Sequence, residues 1–100
     1  MKLGRVIGTA VATVKSRGLD SYKLLLVRDF NDPADKVRDA EADYYVAIDT
    51  VGAGVGEVVL VANGSAARLT SGQLDAPVDA AIIAILDNVQ IAGSFVFQRQ

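Results

Sequence analysis

Val51-Gly52-Ala53-Gly54-Val55-Gly56-Glu57-Val58-Val59-Leu60-Val61-Ala62-Asn63-Gly64-Ser65-Ala66-Ala67-Arg68 is the stretch on which the reading of this chain turns. Glycines at 52, 54 and 56 alternate with small residues, an apolar run follows, and Gly64 then opens a turn of small side chains. Only glycine enters positive φ freely or lets another backbone come within van der Waals distance. A cluster this dense has a tight turn to make or a close neighbour to admit. The β-branched run predicts a strand over Glu57–Ala62. Gly64–Leu69 suits one turn of helix, with the Ser65 hydroxyl as its cap. The glycines have the look of a phosphate-binding loop, but Glu57 stands where a third fingerprint glycine belongs, and a strand rather than a helix follows. Nucleotide binding is set aside on that mismatch.

Working upstream, Tyr44–Thr50 reads as a strand, and so does Tyr22–Phe30. In the latter, Leu24-Leu25-Leu26-Val27 is too continuous for a half-exposed strand and predicts cover on both faces. Leu3–Val14 is rich in Val, Ile and Thr, and its interior Gly4 and Gly8 predict a bulge or a close backbone contact. Lys15–Asp20 makes a turn. Asn31–Asp43, with Asp32-Pro33 and charges of both signs, is an exposed connection. Downstream, Thr70–Pro77 is a loop and Phe95–Gln98 a last short strand. Ala80–Leu86 fits a helix capped by Asp79 or a buried strand, and periodicity does not separate the two. Short strands joined by glycine-bearing turns point to a small β-barrel.

Composition narrows the function. The chain has 100 residues, which suits a single domain over 1–100. It is 51% hydrophobic and only 22% charged, with a mean hydropathy of +0.31. That is more apolar surface than a small monomer hides, and the excess predicts self-association. The net charge of −2 offers no basic footprint for nucleic acid. With no Cys and no His there is no thiolate chemistry, no usual zinc ligand and no imidazole base. No apolar run is long enough to span a bilayer as a helix, and Gly4, Arg5 and Gly8 interrupt any leader core. The expectation is a soluble cytoplasmic protein.

Asp79 and Asp87 flank the apolar run, while Asp20 and Asp29 sit at strand edges. Carboxylates so placed end elements more often than they catalyse, so no enzyme activity, cofactor or metal is expected. Arg68 suits two roles: complementing the dipole at a helix end, or reaching a carboxylate or carbonyl on another subunit.

Several segments together resemble a known family. They are Gly8-Thr9-Ala10-Val11-Ala12-Thr13-Val14-Lys15, Lys23-Leu24-Leu25-Leu26-Val27, Asp49-Thr50 with the glycine stretch to Val61, Gly64-Ser65-Ala66-Ala67-Arg68, and Pro77-Val78-Asp79 through Asp87. In this order and spacing the chain resembles the bacterial microcompartment vertex proteins of the EutN/CcmL family. Its Asn31–Asp43 segment is longer and more charged than the resemblance would have it. The resemblance implies an all-β, five-stranded, OB-like barrel with a short helical turn, assembling as a cyclic pentamer. It also implies a strand over Ala80–Leu86. The implied role is structural: pentamers that cap shell vertices, with hexameric and pseudo-hexameric shell proteins as partners, in the microcompartment shell of the cytoplasm. Neither nucleic acid nor membrane is a partner on this reading. Gly52, Ala53 and Gly54 are then expected near the five-fold axis, and Glu57, Ser65 and Arg68 at the subunit interface. The alternative is an OB-like module binding a small ligand or a partner peptide.

Overall fold

In a computed structural model, residues 1–11, 23–30, 41–64, 67 and 79–99 are described here. The elements among them are all strands: β1 (Lys2–Ala10), β2 (Lys23–Asp29), β3 (Tyr45–Asp49), β4 (Val58–Asn63), β5 (Ala80–Ile85), β6 (Asn88–Ile91) and β7 (Ser94–Gln98). The first five close into a barrel in the order β1-β2-β3-β5-β4, and β4 returns to pair with β1. Its pairings are antiparallel except β3 with β5, which run parallel through Ile48↔Ala81 and Asp49↔Ile82.

Alternation along each strand fills the barrel. Val6, Leu25, Val27, Ala47, Val59, Val61, Ala80 and Ile82 meet inside with Ala53 from the glycine loop. A second apolar cluster lies outside, where Ile48, Ala81 and Ala67 pack together with Leu24 against them. β2 is covered on both sides only in part, because Leu25 and Val27 are buried while Leu24 and Leu26 stay half-exposed. On β4, Val58 and Val59 are both fully buried, so one is sealed by the barrel and its neighbour from without.

Both β1 glycines have the reason expected of them. A Cβ at Gly4 would run into the Val27 side chain, with the Arg28 carbonyl and the Tyr45 hydroxyl each 3.2 Å away. Before Gly8 the β1–β2 register slips, Val6 pairing with Val27 and Gly8 with Leu26, so Ile7 is the extra residue of a bulge. A second slip falls between Leu60 and Val61 on β4. Bulges bend a strand and tighten its twist, which helps five short strands close.

The ambiguous Ala80–Leu86 run is the strand β5, as the resemblance implied. One element went unforeseen. Beyond the five-stranded barrel, β6 and β7 form a separate two-stranded sheet, of which only the second strand was expected. Its turn carries Ala92 at φ 51 and Gly93 at φ 82. The turn at Lys15–Asp20, the loop at Thr70–Pro77, most of Asn31–Asp43 and the end of the first expected strand lie outside the described residues. So does most of the helical turn at Gly64–Leu69, where Ala67 is described and its N–H donates to the Gly64 carbonyl at 3.1 Å.

Candidate functional site: the glycine loop and its braces

The segment from Asp49 to Glu57 links β3 to β4, and almost every turn of it is tied down. The Asp49 carboxylate accepts the N–H groups of Val51 (3.1 Å) and Gly52 (3.0 Å), so the loop opens on an aspartate-capped turn. Gly52 takes φ 81 there. Beside it, the Thr50 hydroxyl donates to the Ile82 carbonyl on β5 at 2.6 Å. Ala53 then turns its methyl into the barrel core, and its carbonyl accepts from Lys23 Nζ at 3.0 Å.

The second half is held by Glu57 and β1. Glu57 Oε1 accepts the Gly54 N–H at 2.8 Å, and the Glu57 N–H returns to the Gly54 carbonyl at 3.2 Å. Gly56, at φ 93, donates its N–H to the Val6 carbonyl at 2.8 Å. Arg5 from β1 donates to the Gly56 carbonyl, also at 2.8 Å. Val51 and Val55 are left at the loop surface.

The hairpin reaches the same place from the other side. The Arg5 guanidinium lies 5.4 Å from the Phe30 ring centre and 5.7 Å from that of Phe97, and the two rings meet edge to face at 5.9 Å. Arg99 stands between two carboxylates, Glu57 Oε2 at 3.0 Å and Asp87 Oδ1 at 3.5 Å. Glu57 Oε2 is buried and meets Arg99 as an ion pair, off the axis of a hydrogen bond. A cleft of about 470 Å³ remains between loop and hairpin, lined by Arg5, Glu57, Val58, Leu86, Phe97 and Arg99 among others.

This geometry bears on anion binding. The amides of Val51, Gly52, Gly54 and Gly56 are committed to Asp49, Glu57 and the Val6 carbonyl. A phosphate would have to displace carboxylates that already carry negative charge, so the loop is no phosphate cradle. Among the described residues no group of acidic side chains is placed to hold a metal ion. One polar group is stranded elsewhere in the barrel wall: the buried Tyr45 hydroxyl has no hydrogen-bond partner. Burial, and next the Asp29 charge, push its pKa up to about 12. Lys2 sits 4.1 Å over its ring and pairs with Asp29 at 3.4 Å.

Of the residues singled out from sequence, Gly52, Ala53, Gly54 and Glu57 are neighbours in this loop, while Ser65 and Arg68 lie outside the described residues. Glu57 is engaged within its own chain. Sequence reasoning passed over Asp49, Lys23, Arg5 and Arg99. An aspartate three positions before a glycine is a recognisable turn signal. The other three act across long sequence separations that leave no local mark.

A small closed barrel of OB type with its β3–β4 loop fixed to its own strands is the class these observations define. The chain belongs to the EutN/CcmL family: residues 1–87 match the family described as ethanolamine utilisation protein EutN/carboxysome. It is 41% identical over 100 residues to the carboxysome shell vertex protein CcmL of a Synechocystis species, covering 100% of this chain and 96% of that one. It is 40% identical over 99 residues to the bacterial microcompartment shell vertex protein EutN of Salmonella typhimurium, covering 99% and 96%. Among solved structures it is similar to the pentameric microcompartment shell protein GrpN of Rhodospirillum rubrum, with a TM-score of 0.73 and 40% identity over 92% of this chain and 100% of that one.

Proposed function

We propose that this protein is a vertex subunit of a bacterial microcompartment shell, five copies closing head to tail into a ring that caps a corner. The observation that carries the reading is the whole-length likeness, in sequence and in fold, to shell vertex proteins and to a pentameric shell protein. A flat layer of six-sided tiles cannot close on itself, and five-sided tiles supply the curvature. A heterologous contact that closes after five steps makes such a tile.

The surface of the chain suits this. Large apolar side chains stand exposed at several separate places, among them Tyr44 (62%) and Val46 (46%) at β3, Val55 (61%) in the glycine loop, and Ile91 (63%) and Phe95 (53%) on the hairpin. A head-to-tail ring needs two unlike patches per subunit. Gly52, Ala53 and Gly54 are proposed to lie nearest the five-fold axis, where copies crowd. There Gly52 has nothing of its own chain within 4 Å of a Cβ position, which leaves room for a neighbour. Glu57, Ser65 and Arg68 are proposed at or beside the interface, the last two on sequence alone. The proposed partners of the ring are hexameric and pseudo-hexameric shell proteins, and its proposed place is the shell in the bacterial cytoplasm. The carboxysome and ethanolamine relatives are almost equally similar, so the reading is the corner role their names share.

The test is the native mass of the purified protein, by native mass spectrometry or sedimentation equilibrium. A dominant five-copy species is expected, followed by co-assembly with hexameric shell proteins into closed particles. A monomer or dimer at high concentration overturns the reading.

A further inference from the structure

We infer that Glu57 is a positioning residue that couples the glycine loop to the C-terminal hairpin, so that the two move as one body. Its bearing on assembly rests on the vertex reading; the coupling itself does not. One carboxylate serves two elements: Oε1 holds the Gly54 N–H at 2.8 Å, and Oε2 holds Arg99 Nη2 at 3.0 Å. The Glu57 side chain is only 21% exposed, so its pairing with the half-exposed Arg99 is less screened than that of the Asp87 carboxylate on the far side, which is 81% exposed. Glu57 is therefore the firmer of the two anchors.

Arg99 is in turn fixed to the foot of the hairpin. Its N–H donates to the Asp87 carbonyl at 2.7 Å, directly beyond the β6–β7 pair Asn88↔Gln98. A two-stranded sheet is marginal on its own and takes its position from what it is docked to. Here the dock is the Phe30–Arg5–Phe97 stack on one side and Glu57 on the other, and Arg5 also holds the Gly56 carbonyl. Both routes from the hairpin therefore end on the loop, at Gly54 and at Gly56. Gly54 is the residue proposed to face the ring axis, and the hairpin carries the exposed Ile91 and Phe95. A shift of the hairpin is thus transmitted to the loop at Gly54 through the Glu57 carboxylate and at Gly56 through Arg5.

Exchange of the Gly54 amide, followed by NMR in the intact protein, tests this, because Arg99 does not touch Gly54. In Arg99→Gln the Gly54 amide is expected to exchange roughly threefold to tenfold faster, as local opening becomes easier, and Arg99→Lys is expected to restore most of the protection. Glu57→Gln and Arg99→Gln combined are expected to do little more than Glu57→Gln alone, the mark of one shared interaction. Unchanged Gly54 exchange in Arg99→Gln overturns the coupling, since Glu57 would then hold loop and hairpin independently. So would additive effects in the double variant. Native mass of the wild type is read alongside. A wild type that is not a pentamer, with Gly54 exchange still responding to Arg99→Gln, sinks the vertex reading and leaves the coupling standing.

Discussion

Gly4 shows how one missing methyl permits the barrel. Its Cα faces the Val27 side chain, the Arg28 carbonyl and the Tyr45 hydroxyl, and two of those obstacles are not flexible ends. Gly4→Ala is expected to cost about 1–3 kcal/mol, as overpacking does, seen as a lower denaturation midpoint at fixed protein concentration. Gly54 is the opposite case. A Cβ there meets only the Glu57 carboxylate at 3.5 Å, an ordinary contact, and its φ is not positive. Gly54→Leu is therefore expected to fold as a subunit but to lose the pentamer in native mass measurements. A pentamer undisturbed by this leucine removes Gly54 from the axis. Tyr45 adds a dependence on pH. Its phenol ionises near 10 when unfolded and at about 12 in the fold, so between those values the folded chain binds more protons. Stability from this group is complete below pH 10 and falls as pH rises from 10 toward 12. Tyr45→Phe is expected to flatten that alkaline loss, measured by denaturant titration from pH 9 to 12, at little cost at pH 7 because the hydroxyl has no partner to lose.

At the scale of elements, β4 and the glycine loop were legible because their signals are local. A β-branched run follows glycines, and the φ values of Gly52 and Gly56 demand glycine. β6 was not legible, for a physical reason. Asn88-Val89-Gln90-Ile91 alternates over four residues only, too few to stand out. Its turn to β7 places Ala92 and Gly93 both at positive φ, the geometry that asparagine-glycine usually announces. Alanine hides that marker and is strained at φ 51. Ala92→Asn or Ala92→Gly is expected to stabilise the hairpin by about 1 kcal/mol, seen as slower amide exchange across β6 and β7. Ala80–Leu86 was undecidable from its residues alone, because alanine-rich apolar runs suit a buried helix as well as a buried strand. The surroundings decide it: β4 on one side and β3 on the other take up the hydrogen bonds of β5.

For the whole molecule, the apolar excess of the composition has a visible location. The barrel interior and the Ile48–Ala67–Ala81 cluster absorb part of it, and Tyr44, Val46, Ile91 and Phe95 hold another part at the surface. That a surplus existed was readable from residue counts; where it surfaces was not, since it depends on strand register. The same limit applied to Lys23, Arg5 and Arg99, whose roles appear only when the barrel brings positions 30 to 51 residues apart together.

Closure of the barrel also orders events in time. Gly4–Ala10 of β1 pairs on one edge with β2, and Lys2–Arg5 pairs on the other with Val58–Val61 of β4. During synthesis the β1–β2 pair can form early, yet its outer edge stays open until β4 has left the ribosome. At roughly 5–20 residues per second the intervening stretch leaves that edge bare for seconds. An open strand edge, with its unpaired N–H and C=O groups, is a template for wrong pairing, including with another nascent copy. A cell that makes many copies at once therefore has reason to space its ribosomes on this message, or to shield the emerging edge until the fourth strand arrives.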